Sequence, residues 1–80
     1  MITRSQVRMA RAALGWGVRE LGRRAGVAGN TVSRYENGMG TTVATLTQVQ
    51  HVLENGGIIF IPADDTAGPG VRLKSKKEGD

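Results

Sequence analysis

The chain contains no cysteine and one histidine among its 80 residues. Without cysteine, neither disulfide bonds nor thiolate metal sites can form. The one histidine, His51, has no carboxylate at catalytic spacing, so we interpret it as an ordinary surface or partly buried residue. We therefore predict that the protein is not an enzyme and uses no metal and no cofactor.

Long apolar segments are also absent. No run approaches the roughly 20 apolar residues needed to cross a bilayer. The first residues form an arginine-interrupted helical pattern rather than a signal peptide. These patterns predict a cytoplasmic protein that does not bind membranes.

Positive charge is concentrated in the first half of the chain. The net charge is +4, but residues 1–40 hold seven arginines against two glutamates, a net +5. Residues 41–80 hold four basic and five acidic groups, a net −1. A solubilising surface would explain the charge but not its concentration. Because the planar guanidinium suits phosphate and base edges, nucleic acid is the expected partner.

The segment ELGRRAGVAGNTVSRYENG, which begins at Glu20, predicts two short helices that meet at a glycine corner. Leu21 and Ala25 lie on one face of the first helix. Gly26 stands where that helix must end, because glycine enters the left-handed conformation without strain. Gly22, inside the first helix, is expected to let the second helix approach closely. A plain helical hairpin would show the same corner. The residues on the outer face of the second helix must therefore distinguish it from a DNA-binding helix pair.

The outer face of the second helix is small and polar. Gly29, Asn30, Ser33 and Arg34 are expected to face away from the core, with Thr31 beside them. Arginine can bind guanine with two hydrogen bonds, asparagine can bind adenine, and serine can serve either base or phosphate. A solvated face would usually carry Glu and Lys pairs, which are absent here. This face favours contact with a DNA groove.

Taken together, these motifs resemble the lambda-repressor-like (Xre/Cro) helix-turn-helix family of DNA-binding regulators, from about residue 3 to residue 53. The matching elements are Leu14-Gly15-Trp16, Glu20-Leu21, Ala25-Gly26-Val27, Thr31-Val32-Ser33-Arg34, Glu36-Asn37-Gly38 and Thr45-Leu46. Any one of them would be a weak signal, whereas the set is specific.

The resemblance implies a role for each matched position. The expected base-contacting residues are Gly29, Asn30, Ser33 and Arg34, and the expected phosphate-contacting residues are Arg19, Arg23, Thr31, Asn37, Thr41 and Thr42. Arg11 and Glu36 are expected to form a structural ion pair. The sequence departs from the family where Gly17 and Val18 replace a capping hydroxyl and a glutamine, and where Ala28 replaces another capping hydroxyl. Gly29 also replaces a side chain that often reads bases in the family, so base readout is expected to depend chiefly on Asn30, Ser33 and Arg34.

The predicted fold is mainly α: a compact four-helix head over residues 1–57, followed by a C-terminal β segment or hairpin over residues 58–74. Thr3 and Gln6 match a capping box that opens the first helix, and the fourth begins near Thr41 or Thr42. Ile58 to Ile61 and Val71 to Lys74 are the candidate strands, joined by a loop of about eight residues. Residues 75–80 are expected to be a disordered tail.

The first candidate strand is apolar on both of its alternating faces, and a small head can cover only one. We therefore expect an antiparallel intermolecular sheet in a two-fold homodimer. Its expected interface residues are Ile58, Ile59, Phe60, Ile61, Val71 and Leu73. The alternative is that the hairpin folds back onto its own helices.

These patterns predict a transcriptional regulator, with repression the expected sign, that binds double-stranded DNA at a pseudo-palindromic operator as a homodimer. Two alternatives stay open. The chain can be the antitoxin of a toxin pair, with the β segment binding the protein partner. It can also be a protein-interaction adaptor that keeps the fold without contacting DNA.

Overall fold

Four helices and a β-hairpin follow one another along the chain. The computed structural model describes residues 1–75, and the remainder of the predicted tail, residues 76–80, lies outside the described residues. The elements are α1 (Arg4–Leu14), α2 (Val18–Ala25), α3 (Gly29–Glu36), α4 (Val43–Asn55), β1 (Ile58–Ile61) and β2 (Gly70–Leu73). The predicted mainly α head with a C-terminal hairpin is confirmed.

Local side-chain and glycine caps set the helix ends. The backbone N–H of Gln6 donates to the Thr3 hydroxyl, and the Gln6 side chain accepts from the Thr3 N–H, which completes the capping box that opens α1. Thr42 caps α4 by accepting from the Thr45 N–H at 3.0 Å. Gly15 and Gly26 adopt left-handed conformations, with φ of 71° and 75°, and end α1 and α2.

The corner between α2 and α3 depends on Gly22, because the turn that follows α2 leaves no space for a side chain there. A Cβ atom at Gly22 would lie 2.6 Å from the Val27 carbonyl oxygen and 3.0 Å from the Gly29 nitrogen. The Val27 N–H donates to the Gly22 carbonyl at 2.9 Å. The backbone of the turn therefore packs directly on α2, as the sequence predicted for Gly22.

One hydrophobic core joins all four helices and the first strand. Its buried members are Ile2, Val7, Ala10, Leu21, Ala25, Val32, Leu46, Val49, Leu53 and Ile58. Because Ile58 is 1% exposed, the start of β1 belongs to the same core as the helices.

The hairpin folds back onto the helices of its own chain. β1 and β2 pair antiparallel, with Ile58 opposite Leu73 and Ile61 opposite Gly70. The Gln6 side-chain amide donates to the carbonyls of Ile61 and Gly70, both at 3.0 Å, and so fastens α1 to the end of the hairpin. β2 starts at Gly70, one residue before the predicted Val71, because Gly70 is the residue that pairs with Ile61.

The two faces of the hairpin have different surroundings. Ile58, Phe60 and Val71 belong to or pack against the core of their own chain, whereas the sequence predicts all three in an intermolecular interface. On the opposite face Ile59 and Ile61 are 43% and 36% exposed. The head thus covers only one face of the sheet. The two strands form their hydrogen bonds with each other, within one chain.

Replacing Gly22 with alanine should lower the free energy of unfolding by about 1 to 3 kcal/mol, as overpacked substitutions do. The gain in helix propensity, about 1 kcal/mol, is smaller than the strain because the atom opposite is backbone rather than a flexible side chain. Urea unfolding measures the change. The matched control is Gly40→Ala, where no heavy atom lies within 4 Å of the added Cβ, and its effect should stay below about 1 kcal/mol. Equal stability of the two variants would contradict the close approach.

Candidate nucleic-acid interface

The outer face of α3 presents polar side chains to solvent. Val32 points inward and is 3% exposed, whereas Asn30 and Arg34 are exposed and Ser33 is half-buried. Within residues 1–75 no ion pair involves Arg34. The arrangement leaves two of the predicted base readers open to a ligand.

Gly29 packs closely against α2, unlike the exposed Asn30 and Arg34. It is half-buried, and a Cβ atom there would lie 3.1 Å from both Cα and Cγ of Arg19. A larger residue would push the first turn of α3 away from α2. The absence of a base-reading side chain at this position therefore has a packing reason, and Gly29 can offer only backbone atoms to DNA.

The predicted phosphate-contacting residues surround α3 but differ in exposure. Arg19, Asn37 and Thr42 are exposed, while Thr31 and Thr41 are half-buried and line a small pocket between α3 and α4. The Thr42 hydroxyl also caps α4. Three of these polar groups are therefore accessible to a ligand, and two are partly covered where α3 and α4 meet.

Glu20 holds two arginines of α2. Its carboxylate accepts from Arg23 at 2.6 Å and from Arg24 at 2.7 Å, the three- and four-residue spacings that bring side chains together on a helix. Hydrogen bonds from Arg23 and then from Arg24 lower the pKa of Glu20, so the carboxylate stays ionised at neutral pH. Arg24 also lies over the Trp16 ring, 4.2 Å from its centroid. Arg23, a predicted phosphate contact, is therefore already paired with the carboxylate of Glu20.

Arg11 and Glu36 form a two-bond ion pair between α1 and the last residue of α3. The Nε–Oε2 and Nη2–Oε1 distances are both 2.8 Å, and the Glu36 side chain is 6% exposed. The hydrogen bond to Glu36 raises the pKa of Arg11, against the opposing effect of burial. Arginine is charged throughout the physiological range, so this attachment of α3 does not depend on pH there. The pair faces the protein, consistent with the structural role expected for it.

Two further arginines of α1, for which the sequence predicts no role, contact the same end of α3. Arg4 donates to the carbonyls of Tyr35 and Met39, and Arg8 donates to the carbonyl of Glu36. The spacing of Arg4, Arg8 and Arg11 places them on one face of a helix, which is the signal that could have indicated their shared target.

Two short helices at a tight glycine corner, with an exposed polar face on the second, define a helix-turn-helix module. The model of the helix-turn-helix domain family matches residues 4–56, about two thirds of the chain. The protein belongs to this family, and the match spans α1 to α4 and stops before β1. Membership supports a DNA-binding role.

The comparison with curated proteins found no match. In the part of the chain that the structure describes, every helix is too short or too polar to span a membrane.

Replacing Glu20 with glutamine should raise affinity for random duplex DNA roughly two- to fivefold, the range expected for an exposed ion pair. The physical reason is that Arg23 and Arg24 would no longer be held by a carboxylate that repels phosphate. Titration of a fluorescent duplex at several salt concentrations measures the effect.

The control for this change is Glu54→Gln, which alters the net charge equally on α4, where Glu54 accepts from Gln50. Glu54→Gln should change affinity less than Glu20→Gln does. If both variants bind alike, net charge alone is responsible and the contact between Glu20 and Arg23 has no separate effect.

Proposed function

We propose that this protein is a lambda-repressor-like (Xre/Cro) transcriptional regulator that binds a pseudo-palindromic operator in double-stranded DNA as a homodimer. It acts as a repressor when the occupied operator overlaps a promoter and excludes polymerase. The observation that carries the proposal is the exposed pair Asn30 and Arg34 on α3, held at a helix-turn-helix corner. α3 is the recognition helix and enters the major groove.

Base readout in this proposal comes from three side chains. Arg34 binds guanine, Asn30 binds adenine, and the half-buried Ser33 contacts a base edge or a nearby phosphate. Each good two-bond contact contributes about 1 to 3 kcal/mol of discrimination. Because Gly29 has no side chain to add, one α3 discriminates modestly, and two copies on two half-sites would double the readout.

Phosphate binding comes from groups beside α3. Arg19 is exposed on the first turn of α2, and Asn37 and Thr42 are exposed in the segment that joins α3 to α4. Each phosphate that a cation such as Arg19 neutralises steepens the salt dependence of binding by about 0.9 in the logarithmic slope. Asn37 and Thr42 are neutral and add hydrogen bonds only. Contacts of this kind position the protein and are shared by all DNA sequences.

The open face of the hairpin supports the homodimer. Ile59 and Ile61 form an apolar surface that this chain leaves exposed, and Arg72, paired with Ile59, shares their face. The loop end of the hairpin carries Asp64 and Asp65, whereas Arg72 lies towards the other end.

A two-fold axis that lies in the plane of the contact, perpendicular to the strands, would place the acidic end of each hairpin against the basic end of its copy. Opposite charges would then meet at both ends of the contact, while the apolar residues pack between them. A second copy of the chain is therefore the occupant we propose for this face, with the sheets packed face to face.

Replacing Arg34 with alanine should cost about 1 to 3 kcal/mol of operator binding and relax the preference at one base pair per half-site. Selection of bound sequences from a random library identifies the operator, its symmetry and its half-site spacing, and repeating the selection with the variant shows which base pair is affected. The control is Arg19→Ala, which should weaken all sequences alike and reduce the salt slope. An unselective wild-type protein would instead support the adaptor alternative.

Replacing Ile59 with lysine should convert a dimer into a monomer, because it buries a charge in the proposed contact. Light scattering of the full chain measures the mass. Truncation after residue 57 is unsuitable because it removes Ile58 from the core. The control is Val43→Lys, an exposed apolar residue at the opposite end of the 13-residue α4 from the hairpin, which should leave the dimer intact. A monomeric wild-type protein would rule out the dimer.

A further inference from the structure

Three arginines of α1 converge on the C-terminal end of α3. Arg4, Arg8 and Arg11, called the arginine row below, recur at intervals of four and three residues and so share one helix face. Each of them donates to the last residues of α3 or to the loop that follows. Among residues 1–75, no other side chain of α1 forms a hydrogen bond with this end of α3.

Arg4 joins both sides of the bend that follows α3. Its Nη1 atom donates to the Tyr35 carbonyl at 2.5 Å and to the Met39 carbonyl at 2.6 Å. The guanidinium also lies over the Tyr35 ring, 4.5 Å from its centroid. Between these two carbonyls the chain turns through Gly38, whose φ is 104°. One side chain thus holds the end of α3 and the start of the loop that leads to Thr41 and Thr42.

Arg8 adds a second attachment at the same end. Its Nη1 donates to the Glu36 carbonyl at 2.6 Å, and Arg11 binds the Glu36 carboxylate. The last carbonyls of a helix have no partner within the helix, and they form the negative end of its dipole. Cations that donate to these carbonyls stabilise the helix end and also fix its direction relative to α1.

We infer that Arg4 and Arg8 are positioning residues for DNA recognition: they hold α3 at the orientation in which its outer face reads bases, and do not bind phosphate. This inference rests on the proposed function. Arg34 lies in the last turn of α3, one residue before the Tyr35 carbonyl that Arg4 holds. Movement of this helix end would displace the Arg34 guanidinium from a base edge while leaving Arg19 in place on α2.

The two roles predict different binding behaviour. A phosphate contact strengthens binding to every sequence, and its loss flattens the salt dependence. Loss of a positioning residue leaves the cationic phosphate contact of Arg19 on α2 in place, so binding to random DNA changes little and its salt slope stays the same. Its loss weakens chiefly the operator complex, since base readout needs α3 at one orientation.

The test is Arg4→Gln in the full chain, since glutamine is shorter and uncharged. Operator affinity should fall about tenfold, the loss of roughly one base contact, whereas affinity for a random duplex should stay within about twofold. The slope of affinity against salt on random DNA should be unchanged. Amide hydrogen exchange of residues 37–39 should become faster in the absence of DNA.

Arg19→Gln is the matched control with the same change of charge. It should weaken operator and random DNA equally and reduce the salt slope by about 0.9. Arg8→Gln is the second variant, in case Arg4→Gln does not fold, and thermal unfolding shows which variants are folded. It should reduce discrimination as Arg4→Gln does.

Three outcomes separate the possibilities. If a folded Arg4→Gln or Arg8→Gln variant weakens both DNAs equally and flattens the salt slope, the arginine row binds phosphate and the inference is wrong. If neither folded variant changes discrimination, α3 does not need these contacts, and the inference is wrong as well. If the wild-type protein itself shows no operator preference, it is the proposed function that fails.

Discussion

The contact between the backbones of α2 and α3 is the constraint on which the other features depend. Two glycines permit it: Gly22 faces the Val27 carbonyl, and Gly29 faces the backbone of Arg19. With side chains at these positions, α3 would lie farther from α2 and its outer face would tilt. The same approach that builds the corner leaves the first turn of α3 without a side chain at Gly29. In the proposed function, close packing at this position therefore excludes a base-reading side chain.

Most of the arginines in the first half of the chain bind a carboxylate or a backbone carbonyl of the protein itself. Arg4, Arg8 and Arg11 face α3, and Glu20 holds Arg23 and Arg24. The net charge of this half still attracts a polyanion over a distance comparable to the Debye length. Arg19 and Arg34 are exposed and form no ion pair within residues 1–75, which is why the proposal assigns close contact with DNA to them.

The parts of the fold that local chemistry determines were predictable, and those that depend on distant contacts were not. The Thr3 and Gln6 box, and the helix ends at Gly15 and Gly26, follow from residues within a few positions of each other. The hairpin was predictable as strands, but its position against the head was not, because β1 is apolar on both faces. The targets of Arg4 lie 31 and 35 residues away, and residue type alone does not identify a carbonyl partner. The base and phosphate roles are still predictions.

Gln6 connects the two ends of the described chain. It is 3% exposed, its oxygen accepts from the Thr3 N–H, and its nitrogen donates to the carbonyls of Ile61 and Gly70. Because the beginning of α1 and the closing end of the hairpin share one buried amide, separating them breaks the two hydrogen bonds that Gln6 donates to Ile61 and Gly70. The stability of the hairpin is therefore coupled to that of the first helical turn.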